Sequence, residues 1–246
     1  MKKRSLMILP LAAAFALSGC GGSDNSGSND SAPADAGQAQ SQPANEAPTL
    51  DGAQVKTVAE SMVEGEEKAQ VLDGDTIAAN MPQAKKMIDE MKIEPAKCAE
   101  VIAEQSSWDV EGINMAVATV VDGTNAKSYS VASYEDDAKL EAARKGAESK
   151  DLNGCDSFTM EAQGQKLTAS AEILDGTSDA ELTVVTKTNV AMDGVDVPMN
   201  SISVQALDGR TAISASASGD VKDSQDLIDS LIKDVNKGLA EAKNVK

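Results

Sequence analysis

The chain contains no histidine, and it is poor in aromatic side chains, cysteine and basic residues. Without histidine it cannot form the Ser-His or Cys-His pairs of common hydrolases, and it lacks the most frequent neutral metal ligand. After residue 19 the only aromatic side chains are Trp108, Tyr129, Tyr134 and Phe158, which argues against stacking platforms for sugars or bases. We therefore expect no catalytic residues, no metal site and no cofactor.

Basic residues are outnumbered by acidic ones. After residue 19, 19 Lys and Arg side chains face 40 Asp and Glu side chains, a net charge of −21. Nucleic-acid binding normally uses clustered Lys and Arg that neutralise phosphate, whereas the basic residues here are scattered. We therefore exclude nucleic acid as a partner.

The N-terminal segment has the three parts of a bacterial lipoprotein signal peptide. Residues 1–4 are positively charged, residues 5–17 are apolar, and Leu17-Ser18-Gly19-Cys20 is a lipobox. The apolar run is shorter than the roughly 20 residues that span a bilayer. We expect cleavage before Cys20 and acylation of that residue, and several acyl chains at ~0.8 kcal/mol per buried methylene make a stable anchor. The predicted location is the extracytoplasmic side of the cell membrane.

Residues 21–50 form a low-complexity segment without a basic residue. Its low hydrophobicity cannot offset the entropy lost on ordering, so we expect a disordered tether with a reach on the order of 30 Å. The expected organisation is a signal peptide at 1–19, a lipidated cysteine and linker at 20–50, and one domain at 51–246.

Three cysteines leave an even number once Cys20 is lipidated. Outside the cytosol, such a remainder indicates a disulfide, which we assign to Cys98 and Cys155. Redox-active pairs usually have closely spaced cysteines, so we expect this bridge to be structural. We also expect the four aromatic side chains to pack around it.

Hydrophobic periodicity predicts helices and antiparallel strands. The predicted helices are 55–67, a segment after Asp75 that Pro95 ends, 96–105, 135–150, and a C-terminal helix capped by Asp223 or Ser224. The predicted strands are 113–121, 129–134, 158–160, 166–174, 182–190, 201–207 and 210–218. Short connections favour antiparallel pairing, and the expected class is α+β, with an antiparallel sheet and helices packed on one face.

Asp-Gly pairs recur at Asp122, Asp175, Asp193 and Asp208. They are typical of turns, and Asp208-Gly209 fits a tight hairpin because both residues tolerate positive φ. None is followed by the spaced carboxylates of an EF-hand loop.

One short motif resembles an enzyme signature. Ser230-Leu231-Ile232-Lys233 has the Ser-X-X-Lys spacing of acyl-transferring enzymes. It lies in the final amphipathic helix, and the chain has no Lys-Thr-Gly companion motif. We interpret the match as coincidence.

Residues 211–218, Thr-Ala-Ile-Ser-Ala-Ser-Ala-Ser, form a strand of small side chains. Either a helix packs closely against this strand, or the strand forms the floor of a groove. On the second interpretation Ile213, Ala215 and Ala217 are the candidate ligand-binding residues.

The order of these features resembles a known family. A lipobox and tether, a helix with Cys98-Ala99-Glu100, Trp108, a strand pair, Cys155, further strands and a closing helix are similar to actinobacterial cell-envelope lipoproteins. These lipoproteins are related to the extracytoplasmic sensor domain of mycobacterial-type serine/threonine kinases. The resemblance implies a sheet with helices and a ligand-holding cleft, and two disulfides where this chain can form only one.

Two functions are consistent with these observations. The first is a lipid-anchored, non-catalytic binding or sensor-like domain whose partner is a small envelope ligand or an envelope protein. The alternative is a carrier of lipids or glycolipids across the envelope, if some of the ten methionines line a cavity. An enclosed apolar cavity favours the carrier, whereas a shallow polar cleft favours sensing.

The lipobox generates the first testable prediction. Cys20→Ala removes the acylated thiol, so the protein should appear in the medium or remain an uncleaved precursor. Fractionation and immunoblotting of the host measure this directly. Mature Cys20→Ala protein at the wild-type level in the membrane fraction would contradict lipid anchoring.

Overall fold

The computed structural model describes residues 48–105, 109–149, 152, 154–162, 165–192, 199–221 and 224–245. Cys20, the signal peptide, most of the predicted tether and Trp108 lie outside the described residues. The described part contains five helices and one antiparallel sheet of nine strands. The predicted α+β class and antiparallel sheet are confirmed.

The elements follow one another as strands interrupted by helices. The helices are α1 (Gly52–Met62), α2 (Gly74–Asp89), α3 (Ala96–Gln105), α4 (Asp137–Glu148) and α5 (Gln225–Asn244). The strands are β1 (Ala69–Asp73), β2 (Lys92–Glu94), β3 (Ile113–Asp122), β4 (Asn125–Tyr134), β5 (Ser157–Ala162), β6 (Gln165–Leu174), β7 (Leu182–Met192), β8 (Met199–Asp208) and β9 (Thr211–Gly219).

The five helices and strands β3 to β9 match the predicted elements, with ends shifted by a few residues. The second helix was predicted to continue to Pro95, but α2 ends at Asp89 and β2 lies between it and Pro95. Helix α1 begins earlier than predicted because Asp51 and Gln54 form a capping box, each accepting a hydrogen bond from the other's backbone N–H. Strands β1 and β2 were not predicted, since five and three residues are too few for a clear alternating pattern.

The strand order is β1-β3-β4-β9-β8-β7-β6-β5-β2, so β1 and β2 form the two edges. Asp208 pairs with Thr211, and Gly209 between them has φ of 57°. This confirms the predicted tight hairpin, because only a residue that tolerates positive φ fits there.

Helices lie on both faces of the sheet, so the prediction of a single helical face was wrong. Helices α1 and α5 pack together over β3, β4, β9 and β8. On the opposite face Leu140 of α4 packs into a second apolar cluster. This second face is apolar at the starts of β3 and β9 and at the ends of β4 and β8, and Ile77 of α2 packs against it as well. The second cluster consists of Met115, Ala132, Tyr134, Leu140 and Leu207.

The predicted disulfide is present between Cys98 of α3 and Cys155, with Cα atoms 5.5 Å apart. Both cysteines are buried. Bridges of this kind persist in oxidising compartments, which favours an extracytoplasmic location. Two of the four aromatic side chains expected around it lie elsewhere: Tyr129 belongs to the core under α1 and α5, and Tyr134 to the second cluster.

The bridge generates the second prediction. Cys98→Ser and Cys155→Ser should each lower the free energy of unfolding by about 2–4 kcal/mol, because the unfolded chain regains loop freedom. The double variant should match either single variant, since all three lose the same cross-link. Chemical denaturation of the exported, oxidised protein measures this. Additive losses, or two free thiols in the wild-type protein, would refute a structural bridge.

Candidate functional site

An open cleft of about 600 Å³ lies where the starts of α1 and α2 meet β3. This volume falls within the range of small-molecule sites in proteins. The lining residues come from α1, from the β1–α2 junction, and from β3 with the loop before it. They are Gly52, Ala53, Lys56, Asp73, Gly74, Asp75, Ala78, Val110, Glu111, Ile113, Asn114 and Met115.

The first wall is the start of α1, which is fixed to the sheet by Leu50. The Leu50 N–H donates to the buried Ser133 Oγ at 2.8 Å, and Asn114 Nδ2 donates to the Leu50 carbonyl at 2.9 Å. The Leu50 side chain is itself part of the core. Asp51 then caps α1, so Gly52 and Ala53 hold a defined position on the cleft.

The second wall is the start of α2. The Asp73 carboxylate accepts from the Thr76 N–H at 3.1 Å and caps the helix. A Cβ atom at Gly74 would lie 3.3 Å from the Met115 carbonyl oxygen, so glycine lets α2 begin close to β3. The hydrogen bonds from Thr76 hold the pKa of Asp73 below its usual value, and Lys56 lowers this pKa further. Lys56 Nζ lies 3.8 Å from Asp73 Oδ2 and connects the two helix starts.

The third wall is the loop 109–112, whose Val110 and Glu111 face the cleft. The floor is apolar, formed by Ile113 and the buried Met115 of β3. Around this floor the cleft offers the carboxylates of Asp73, Asp75 and Glu111 and the Lys56 ammonium group. Such a lining suits a small molecule with both polar and apolar parts.

The lining contains acids and one amine but no hydroxyl or thiol nucleophile beside a base. Ser230 and Lys233 are exposed on α5, which contributes no residue to the cleft.

Within the described ranges no three metal-ligating side chains come together, and no helix there is long and apolar enough to cross a membrane. The arrangement is suited to binding.

The small-residue strand β9 packs on both faces. Ile213, Ala215 and Ala217 are buried in the core under α5, so these candidate ligand residues have almost no accessible surface. A Cβ atom at Gly238 of α5 would lie 3.0 Å from Ile213 Cδ1, which shows how closely the helix approaches. The close helix packing considered for this strand is what the structure shows.

The opposite face of β9 borders a cavity of about 40 Å³ beneath α4. Ala143 and Ala147 of α4 lie above it, and Ser214 of β9 and Ser130 of β4 share a hydrogen bond of 2.7 Å at its floor. A cavity of this size holds about one or two waters, not an acyl chain.

Sequence patterns did not identify the cleft residues, although a signal was present. Asp51-Gly52 and Asp73-Gly74 are two further Asp-Gly pairs, and each begins a helix rather than forming a turn. In both, the residue three positions after the aspartate donates its backbone N–H to that aspartate. Reading these pairs as helix caps would have placed two helix starts, but not their meeting point.

No protein-family model and no curated protein matches the chain. The solved structures with similarity to the chain include the following two. One is a putative uncharacterized protein from Mycobacterium smegmatis, an ortholog of Rv0999, with a TM-score of 0.47, 16% identity, and coverage of 77% of this chain and 96% of that chain. The other is the extracellular domain of PknH from Mycobacterium tuberculosis, with a TM-score of 0.45, 7% identity, and coverage of 79% and 98%. We carry no residue role over from either structure.

Proposed function

We propose that this protein is a lipid-anchored, extracytoplasmic binding or sensor-like domain without catalytic activity, and that its cleft binds a small envelope ligand. The observation that carries the proposal is the cleft itself, an open site of about 600 Å³ with polar walls and an apolar floor. The lipobox at Cys20 and the Cys98–Cys155 bridge support the location.

The cleft walls are held in place before any ligand arrives. Hydrogen bonds to Ser133 and from Asn114 fix the start of α1, and the Asp73 cap fixes the start of α2. A preformed site loses less conformational entropy on binding than a flexible one. The ligand chemistry that fits is a small molecule with an amino group for the carboxylates and an apolar part for Ile113 and Met115.

The alternative, a carrier of lipids or glycolipids, needs an enclosed apolar cavity. The two cavities described above are a small one under α4 and an open, partly charged cleft. Neither provides an enclosed apolar volume for an acyl chain. These two cavities therefore favour the binding domain over the carrier, and the experiment below distinguishes the two.

A substitution that fills the cleft tests the proposal. Ala78 of α2 is exposed and lines the cleft, whereas its exposed neighbour Ala79 does not, so Ala78→Trp and Ala79→Trp form a matched pair. Equilibrium dialysis against a small-molecule extract of the host envelope, followed by mass spectrometry, identifies the molecules that each protein retains. We expect Ala78→Trp to lose about tenfold or more of the affinity, and Ala79→Trp to bind as the wild type does.

Retention of the same molecules by both variants would contradict binding in the cleft. So would a wild-type protein that retains nothing, or one that retains only acyl lipids. The last result would support the carrier instead.

A further inference from the structure

Lys139 of α4 reaches out of its helix to the loop 109–112, which forms the third wall of the cleft. Its Nζ lies 3.0 Å from Asp109 Oδ2, donates to the Asp109 carbonyl at 3.2 Å, and also donates to the Glu111 carbonyl. One ammonium group therefore holds three oxygens of a single short loop. The Lys139 side chain is only 22% exposed, whereas the Asp109 side chain is 72% exposed.

The loop has a second attachment to the start of α4. The Gly112 carbonyl accepts from the backbone N–H groups of Glu135 and Asp136, at 2.8 and 3.3 Å. Gly112 has φ of 70°, and a Cβ atom there would lie 3.1 Å from Asp136 Cβ, so the loop passes very close to the helix. Gly112 fixes the end of the loop near β3. Val110 packs against the second apolar cluster, and Lys139 holds the carbonyl groups on either side of it, those of Asp109 and Glu111.

Helix α4 is itself fixed to the sheet, so it is a firm base for this contact. The buried Arg210 donates to the carbonyls of Tyr134 and Glu135 at 2.7 and 2.9 Å, and to Asp137 Oδ1 at 2.6 Å. Leu140, next to Lys139, is buried in the second apolar cluster. Lys139 lies on this first turn of α4, so its contacts with the loop can set the distance between the loop and α2 across the cleft.

We propose that Lys139 is a positioning residue of the cleft: it sets the cleft's width by holding the loop 109–112 against α4. The hydrogen bond from Lys139 also lowers the pKa of Asp109 below its usual value, as expected for a carboxylate held by an ammonium group. The inference rests on the proposed function only in that it concerns the same cleft. Its test needs no ligand.

Electron-spin distance measurement across the cleft tests the inference. Spin labels at Glu111→Cys and Ala79→Cys, in the full chain with Cys20→Ala, report the separation of the loop from α2. We expect a narrow distance distribution with Lys139 present and one about twofold broader in Lys139→Met, because the loop then opens locally. Lys139→Arg, which keeps a cation and donors, should stay narrow.

Two controls make the result decisive. Lys145→Met removes the same charge from an exposed position on α4 and should leave the distribution unchanged. A second label pair at Thr124→Cys in the β3–β4 turn and Glu172→Cys on β6, both exposed, should give the same distance distribution in the Lys139→Met protein as with Lys139 present.

A cleft distance distribution that stays narrow in Lys139→Met would overturn the inference, and so would broadening for both label pairs, which would mean general loss of structure. Either result leaves the dialysis test with Ala78→Trp unaffected. Conversely, a cleft that Lys139 holds but that binds nothing would refute the proposed function alone.

Discussion

Close packing of α5 on the small residues of β9, with α1 beside it on β3 and β4, is the constraint on which the rest of the structure depends. Ala215 and Ala217 leave room above the strand, and Gly238 removes the side chain that would otherwise keep α5 away from Ile213. The two helices then contact each other as well as the sheet, so the position of α1 is set by the core. Larger residues on this strand would overpack an interior that is already close-packed.

The cleft follows from that placement. The core holds the body of α1, and hydrogen bonds hold its start. Leu50, just before the helix, is bonded to Ser133 of β4 and to Asn114 of β3. An unpaired buried hydrogen-bonding group costs about 1–3 kcal/mol. Because Ser133 is buried, loss of its hydrogen bond with the Leu50 N–H would carry a cost of this order. The start of α2 lies at the same end of β3 for two reasons. Strand β1, which directly precedes α2, pairs with β3, and Gly74 has no side chain to keep the helix away from β3.

Sequence reasoning succeeded where a pattern is local. The helix 96–105, the Asp208-Gly209 hairpin and the pairing of Cys98 with Cys155 all follow from short-range signals or from counting. The cleft does not, because residues 51–56, 73–78 and 110–115 meet only after the short strand β1 has paired with β3. For β9, small residues on both faces left the pattern unable to decide which face a helix would cover, and helices cover both.

Chemical-shift mapping tests the central claim, that the cleft is the binding site, most directly. Amide spectra of the isotope-labelled, full-length Cys20→Ala protein would be recorded while a small-molecule extract of the host envelope is added. The account predicts shifts concentrated at residues 52–56, 73–78 and 110–115, with the core amides of β8 and β9 unchanged. Shifts concentrated in the core or beneath α4, with unchanged amide signals for the cleft residues, would contradict the account.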